Sequence, residues 1–393
     1  MIPVTYAGIS QHENLAAKLT SAGFENVRIK TSDRFLLISY ENRMYRFEPD
    51  AILEIIKIIT PEILGADKIM LIPLNRNIPL LVIEADLKDC RDYTDNKIGG
   101  SIFSEKLSIN FNTDEYFEKL KDTEPLNTST FRFDLAFKPQ LKFEFGPYEK
   151  PVLTQINLSS NLSATLWKGM NFNYELILPV INQFGAREDS VRPGIISANQ
   201  VFRLPEDLFF SFSAGVFTQN RYGFDIEARK YFLNGDLNLN FNAGVTSIVS
   251  FSGLRKIYYY DAFIWTGSIG GEYRIEKYDL TVGISAGKYL MGDESIRFDI
   301  NREFNEIEIG FFAIHSRNGI SNGGVNLTIP LFPAHYWKPD VIRIRNDENF
   351  DWSYLVKTNS DQMIGLRYNT GNRLGVFYKR LNPSFVRNYF LKN

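Results

Sequence analysis

The chain has 393 residues, with 44 Lys and Arg against 46 Asp and Glu, for a net charge of −2. This balance excludes a global basic footprint for nucleic acid, and 32 Phe with 20 Tyr exclude an acidic disordered tail. One cysteine, Cys90, excludes an internal disulfide, and the scattered His12, His315 and His335 offer no zinc-ligand spacing, so neither metal nor cofactor is expected.

Residues 1–95 read as a small α+β unit of order αββαββ. Residues 13–22 form a helix with Leu15, Leu19 and Ala22 on one face and Gly23 as its stop. Residues 27–30 and 35–40 form a hairpin around Thr31-Ser32-Asp33. Pro49-Asp50 opens a second helix, with Ile52, Ile55, Ile56 and Ile59 at helical spacing. Two strands follow, 68–74 and 79–85, around Asn75-Arg76-Asn77. Residues 96–130 are polar and weakly patterned, and are read as a linker with a local strand at 107–111.

From residue 131 the period changes to two. Phe133, Leu135 and Phe137 alternate with Arg132, Asp134 and Lys138. Phe224, Ile226 and Ala228 alternate with Asp225, Glu227 and Arg229, and Leu239, Phe241 and Ala243 with Asn238, Asn240 and Asn242. About a dozen such segments fill 131–332, each roughly 9 to 14 residues long, which suits membrane-spanning strands better than ordinary globular ones. One face is aliphatic or aromatic; the other is Asn, Ser, Gly and compensated charge, as in Glu272 and Arg274. A soluble sandwich alternates too, but its polar face carries more Lys, Glu and Thr. Small polar residues suit a confined wet lumen. Trp167, Tyr222, Tyr258-Tyr259-Tyr260, Trp265, Tyr278 and Tyr289 group near strand ends, as interfacial girdles do. The expected fold is an all-β membrane barrel, antiparallel, of about 12 or more strands, behind the small α+β domain.

No run of 18 apolar residues occurs, so no transmembrane helix is expected. The mean hydropathy of −0.19 is compatible with a barrel, where only alternate residues need be apolar. No leader-like segment precedes Ile2-Pro3-Val4, so the barrel reading expects a processed chain or a piece of a longer one. Residues 333–393 read as extra wall strands, at 351–357, 363–368 and 374–378, or as a packed tail; Phe390-Leu391 is an assembly-signal candidate.

The candidate lumen or ligand residues are Arg132, Lys138, Asp225, Glu227, Arg229, Glu272, Arg274, Arg297 and Asp299. Their charges suit sugar hydroxyls, or interior ion pairs that bridge the lumen shut. No enzyme is expected. Glu306 with Glu308, and Asp225 with Glu227, are i, i+2 pairs of the kind a charged lumen supplies. No nucleophile elbow occurs, and the glycines of 267–271 lie in a strand rather than a phosphate loop.

Three stretches resemble the YjbH family of outer-membrane exopolysaccharide and capsule proteins. Tyr40-Glu41-Asn42-Arg43-Met44-Tyr45-Arg46, before the helix at 51–59, is similar to the family's Asn-Arg-x-Tyr-Arg segment, which marks Asn42, Arg43, Tyr45 and Arg46. The run 214–232, with Arg221-Tyr222-Gly223 leading to Glu227-Ala228-Arg229, resembles a family strand. Gly323-Gly324-Val325-Asn326-Leu327-Thr328-Ile329-Pro330-Leu331 resembles its closing strand. The resemblance implies the distal part of such a protein, or a shortened relative. It implies an outer-membrane barrel that assists export, secretion or surface assembly of an extracellular polysaccharide, with the N-terminal domain in the periplasm. Implied partners are membrane lipid, polysaccharide and envelope secretion proteins. The alternative is a general porin or structural barrel with a periplasmic docking domain.

Overall fold

The computed structural model describes all residues except 1–10, 33, 63–64, 146–150, 339–340, 358–362, 380 and 393. Two compact units are present. Unit 1 comprises residues 1–129, 335–339 and 383–393; unit 2 comprises 130–334 and 340–382.

Unit 1 begins with α1 (Gln11–Ser21), the hairpin β1 (Glu25–Thr31) and β2 (Phe35–Glu41), and α2 (Glu48–Ile59). β3 (Lys68–Asn75), β4 (Ile78–Pro79) and β5 (Val82–Asp86) follow. The second expected strand is therefore split at Leu80-Leu81. The α+β unit ends in a helix that the order αββαββ lacks, α3 (Leu87–Thr94), and residues 96–130, expected as a linker, hold α4 (Gly100–Lys106), β6 (Ser108–Asn110) and α5 (Asp114–Lys119). These helices are too short to show a helical period, which is why the pattern looked irregular. The sheet order is β1-β2-β3-β5-β6, with β2 and β3 parallel and joined by the α2 crossover.

β2 is apolar on both faces because both are covered. Leu36, Ile38 and Tyr40 alternate with Leu37, and all four are buried. Leu37 packs with Ile72, Leu74, Val82 and Leu120, against Tyr116 and Phe117 of α5. Ile52, Ile55, Ile56 and Ile59 form the buried stripe of α2. Phe390 lies edge-on to Phe103 at 5.5 Å and is fully buried. It belongs to a core helix, α7 (Pro383–Lys392).

At the end of β2, Glu41 is a buried carboxylate with a full set of donors. It accepts from Asn26 Nδ2 at 2.5 Å, Ser129 Oγ at 3.1 Å, and the Arg76 and Asn77 amides at 3.1 and 3.3 Å. Removing it leaves several buried donors without an acceptor, each a desolvation loss. Glu41→Ala is expected to lower stability by about 3 kcal/mol, read from the denaturant midpoint of unit 1 tyrosine signals. Cys90, on α3, is fully buried. Burial pushes its thiol up to about 12, with Asp89 and Asp86 adding to the shift. The thiolate is the reactive species, so a maleimide should leave the folded chain unlabelled and label it once denatured. Labelling of the native chain at the denatured rate would refute the packing described.

Unit 2 is one large sheet of long strands. Its wall runs β7 (Phe133–Phe145), β8 (Val152–Thr165), β9 (Met170–Asn182), β10 (Arg192–Leu204), β11 (Leu208–Phe217), β12 (Arg221–Phe232) and β13 (Leu237–Ser252). It continues through β15 (Ile264–Ile275), β16 (Leu280–Lys288), β17 (Glu294–Phe304), β18 (Ile307–Ser316) and β19 (Ser321–Pro330). β14 (Lys256–Tyr259) extends β13 in a side hairpin. These neighbours pair antiparallel in chain order, as consecutive alternating segments joined by short turns predict.

The last wall piece comes from the C-terminal region: β20 (Ile342–Asn346) and β21 (Asn349–Lys357). β20 runs parallel to β7, from Ile342 opposite Phe133 to Asn346 opposite Phe137. The partner then changes. The Asp347 amide donates to the Phe137 carbonyl at 2.8 Å, and the Leu331 amide to the Glu348 carbonyl at 2.9 Å. β21 continues antiparallel to β19. Above the switch, β21 meets β7 through rings: Phe143 to Trp352 at 6.4 Å and Phe145 to Tyr354 at 5.3 Å. The two ends of the sheet thus lie at one segment, 342–357, although no ladder joins β21 to β7 among the described residues.

The two faces are inverted relative to a soluble protein. Phe224, Ile269 and Phe311 are 58, 65 and 58 % exposed. On the opposite face Asn173, Ser197, Asn199, Ser213, Asp225 and Glu227 are buried. The register carries this across strands: Asp225 stands opposite Ser213 and Gly244, and Glu227 opposite Ser211 and Asn242.

Candidate functional site: a polar interior crossed by the chain's own segment

The buried polar face of unit 2 surrounds residues 363–382. The segment starts in a small apolar cluster, with Ile364 against Phe312 and Ile314. The Gly365 amide donates to Asp293 Oδ2 at 2.8 Å, and the Leu290 amide to the Leu366 carbonyl at 3.1 Å. Tyr368 stacks on Phe217 at 5.3 Å, and its hydroxyl donates to Asp225 at 2.6 Å. Arg373 reaches the other Asp225 oxygen at 3.3 Å. Ser197 Oγ donates to the Thr370 carbonyl, Asn171 Nδ2 to Asn372 Oδ1, and the Leu374 amide to Glu227 Oε2. A short helix, α6 (Leu374–Lys379), follows. Lys379 pairs with Glu303 at 3.7 Å and with Glu308. Asn382 Nδ2 then donates to the Gly235 carbonyl at 2.7 Å. Asp293 and Leu290 lie in the β16–β17 turn and Gly235 in the β12–β13 turn, at opposite ends of the strands. The segment therefore crosses the interior from rim to rim.

A cavity of about 500 Å³ remains between this segment and the inner face of β12–β17. Its lining is amide, hydroxyl and charge: Asn238, Asn240, Asn242, Ser268 and Asn301 on the wall, with Arg367, Arg373 and Lys379 on the crossing segment. Tyr231 supplies ring surface.

Most of the expected lumen residues share this interior, and many are already paired. Arg229 holds Glu272 through bonds of 2.9 and 3.4 Å. Arg274 bridges Glu303 at 2.7 Å and Asp279 at 3.0 Å. Arg297 and Asp299 pair with each other at 2.7 Å on β17, with the guanidinium 4.0 Å from the Phe312 ring centre. Lys138 pairs with Asp347 at 3.4 Å beside the partner switch, away from the cavity lining. Arg132 is half-buried, one residue before β7. Asp225, Glu227, Arg229, Glu272 and Arg274 are brought together around the crossing segment or the cavity; Arg132, Lys138, Arg297 and Asp299 are not among the cavity's lining.

The Asn42-Arg43-x-Tyr45-Arg46 segment is a structural turn in unit 1. Asn42 Oδ1 accepts from the Met44 and Tyr45 amides at 3.1 and 2.9 Å, and its Nδ2 donates to Glu48 at 3.0 Å. This side chain shapes the entry to α2, as an Asx turn does. Arg43 pairs with Glu25 at 3.5 Å, both buried, and Arg46 is buried. Tyr45 meets the His335 ring at 4.8 Å. Burial, then Glu54 and Asp50, push the Tyr45 phenol up to about 12, so it stays neutral across the physiological range.

Sequence reasoning missed Tyr368, Asn372, Arg373 and Lys379 as site residues. The available signal was compositional: Asn369-Thr370-Gly371-Asn372 repeats the small polar character of the inner wall, outside any alternating strand.

Fold and interior together define a β-sheet protein of inverted polarity: apolar outside, hydrogen-bonding inside, with part of its own chain across the middle. The chain belongs to the YjbH family, whose model, described as exopolysaccharide biosynthesis protein YbjH, matches residues 4–335. No curated protein matches the chain. Among solved structures it is similar to OmpT, an outer membrane protein of Vibrio cholerae, folded in vitro: 9 % identity, 57 % of this chain, 95 % of that chain, TM-score 0.27. A loop L8 deletion mutant of the same protein gives 9 % identity, 50 % of this chain, 85 % of that chain, TM-score 0.27.

Proposed function

We propose that unit 2 is a closed barrel in the bacterial outer membrane that assists export, secretion or surface assembly of an extracellular polysaccharide, with unit 1 in the periplasm and no catalytic role. The observation that carries the reading is the inverted polarity of the long-stranded sheet. Exposed Phe, Ile, Leu and Trp recur on one face from β9 to β21's neighbours, including Phe172, Phe212, Trp265, Phe298 and Ile329. Soluble monomers rarely expose contiguous apolar patches beyond a few hundred square ångströms, and hydrocarbon is the solvent that suits this face. Closure at 342–357 would satisfy the backbone groups that lipid cannot. The connections also differ by end. Residues 205–207 and 305–306 make short turns at one rim, whereas 183–191 and 253–263 make longer loops at the other, the asymmetry of outer-membrane barrels.

Family membership supports the polysaccharide, and the amide-rich interior suits its hydroxyls. The crossing segment weighs against a general porin, whose lumen is an open aqueous channel. The barrel predicts extraction only with detergent and a gel mobility that shifts on boiling. A chain that stays soluble without detergent sinks it. The export role predicts that a bacterium deprived of the chain loses surface polysaccharide and regains it on complementation; unchanged surface polysaccharide overturns that role.

A further inference from the structure

We propose that the interior cavity is a binding site for a short stretch of acidic saccharide, with Arg367 as the group that engages the sugar carboxylate; this rests on the polysaccharide reading above. A volume of about 500 Å³ lies in the range of small-molecule sites. The wall contributes Asn238, Asn240, Asn242 and Ser268. Asn238, Asn240 and Asn242 already donate within the wall, to Glu272, Asn238 and Asp225, which orients their carbonyl oxygens as acceptors for sugar hydroxyls. Tyr231, on the same lining, adds a ring against which the apolar face of a sugar can lie.

Charge selects the class. The other arginines of the lining have carboxylates already: Arg229 has Glu272, Arg274 has Glu303, and Arg373 has Asp225. Arg367 is different. Its guanidinium donates to Ser285 Oγ at 2.9 Å and to the Tyr289 hydroxyl at 3.0 Å, both neutral, and lies over the Tyr289 ring. Among the described residues no carboxylate lies within ion-pair distance of it. The cation is exposed on the crossing segment, held in orientation by two hydroxyls, with donors to spare. The lining carboxylates are Glu227, Asp236, Glu272 and Glu303; Glu272 and Glu303 are held by Arg229 and Arg274, and Glu227 is buried and accepts from the Leu374 amide. Both hydroxyls are met by Nη2, so Nε and Nη1 remain to donate charge-assisted hydrogen bonds to a sugar carboxylate.

The test uses the full chain in lipid nanodiscs, titrated calorimetrically with trigalacturonate or with uncharged maltotriose. Trigalacturonate is expected to bind about tenfold more tightly than maltotriose, and more weakly as salt is raised. Arg367→Gln should abolish that preference while leaving the boiling-dependent mobility of the chain intact. Equal affinity for the two sugars, an unchanged preference in Arg367→Gln, or no binding of either overturns the site. None of these outcomes bears on whether surface polysaccharide is lost without the chain, so failure of the site and failure of the export reading remain distinguishable.

Discussion

Exchanging residues 363–382 for a Gly/Ser linker of equal length is expected to raise the conductance of the chain in planar bilayers severalfold. The exchange keeps α7 tethered, so unit 1 retains its core helix, and it replaces an ordered segment with a flexible coil. The native segment is fixed at several of its described residues: by Asp293 near one rim, by Asp225, Glu227, Ser197 and Asn171 in the middle, and by Glu303, Glu308 and Gly235 near the other. A lumen enclosed by a dozen or more strands is wider than an eight-stranded interior that side chains fill by themselves. Many inward residues of the wall, such as Ser197, Asn199, Ser211 and Ser213, are small. The crossing segment supplies the missing bulk through Tyr368, Arg373 and Lys379. A second variant guards against misfolding of the linker form. Asn171→Cys with Asn372→Cys, at positions whose side chains already meet at 3.3 Å, should trap the closed form when oxidised and relax on reduction. Equal conductance of the native, linker and oxidised forms would show that the segment does not limit the passage.

The strands of unit 2 were legible because a half-buried strand writes its two faces into alternate residues. Asp225, Glu227 and Arg229 could be assigned to one face from the alternation on β12 alone. Their partners could not. Tyr368 meets Asp225 across 143 residues of sequence, and Asn372 meets Asn171 across 201; Tyr368 and Asn372 both lie outside the alternating strands of 131–332. Of the three wall strands expected in the C-terminal region, 351–357 joins the wall as part of β21, whereas 363–368 is not a strand and 374–378 is helical in α6; both of these lie on the segment in the interior. Unit 1 divides the same way. The isoleucine stripe of α2 announces its helix, while α4 and α5, of seven and six residues, give no period to detect. The Asn42 motif was visible as a pattern, but its role as a turn depended on the Glu48 and Tyr45 contacts that only folding supplies.

The largest effect on stability is expected at the sheet's parallel contact. Twelve strands, β7–β13 and β15–β19, pair antiparallel, so a thirteenth wall segment must meet β7 running in the same direction. That is what β20 does, over five residues. Parallel pairing is slightly weaker per residue than antiparallel pairing, and a five-residue ladder leaves little margin. At this point Arg343 grips Asp134 with two bonds of 2.6 and 2.7 Å, both residues buried. Arg343→Leu strands the Asp134 carboxylate in a buried site, a loss of about 3–5 kcal/mol. It should show as a lower urea midpoint in lipid vesicles and a lower temperature for the gel-mobility shift. Arg317 and Glu294 make a pair of similar length, 3.0 Å, but both are largely exposed. Arg317→Leu should therefore cost under about 1 kcal/mol. The double substitution Asp134→Leu with Arg343→Leu removes both charges, so most of the lost stability should return. If Arg343→Leu and Arg317→Leu prove equally mild, the Asp134–Arg343 pair does not hold the ends of the sheet together, and the ring contacts of Phe143 and Phe145 with β21 must do so.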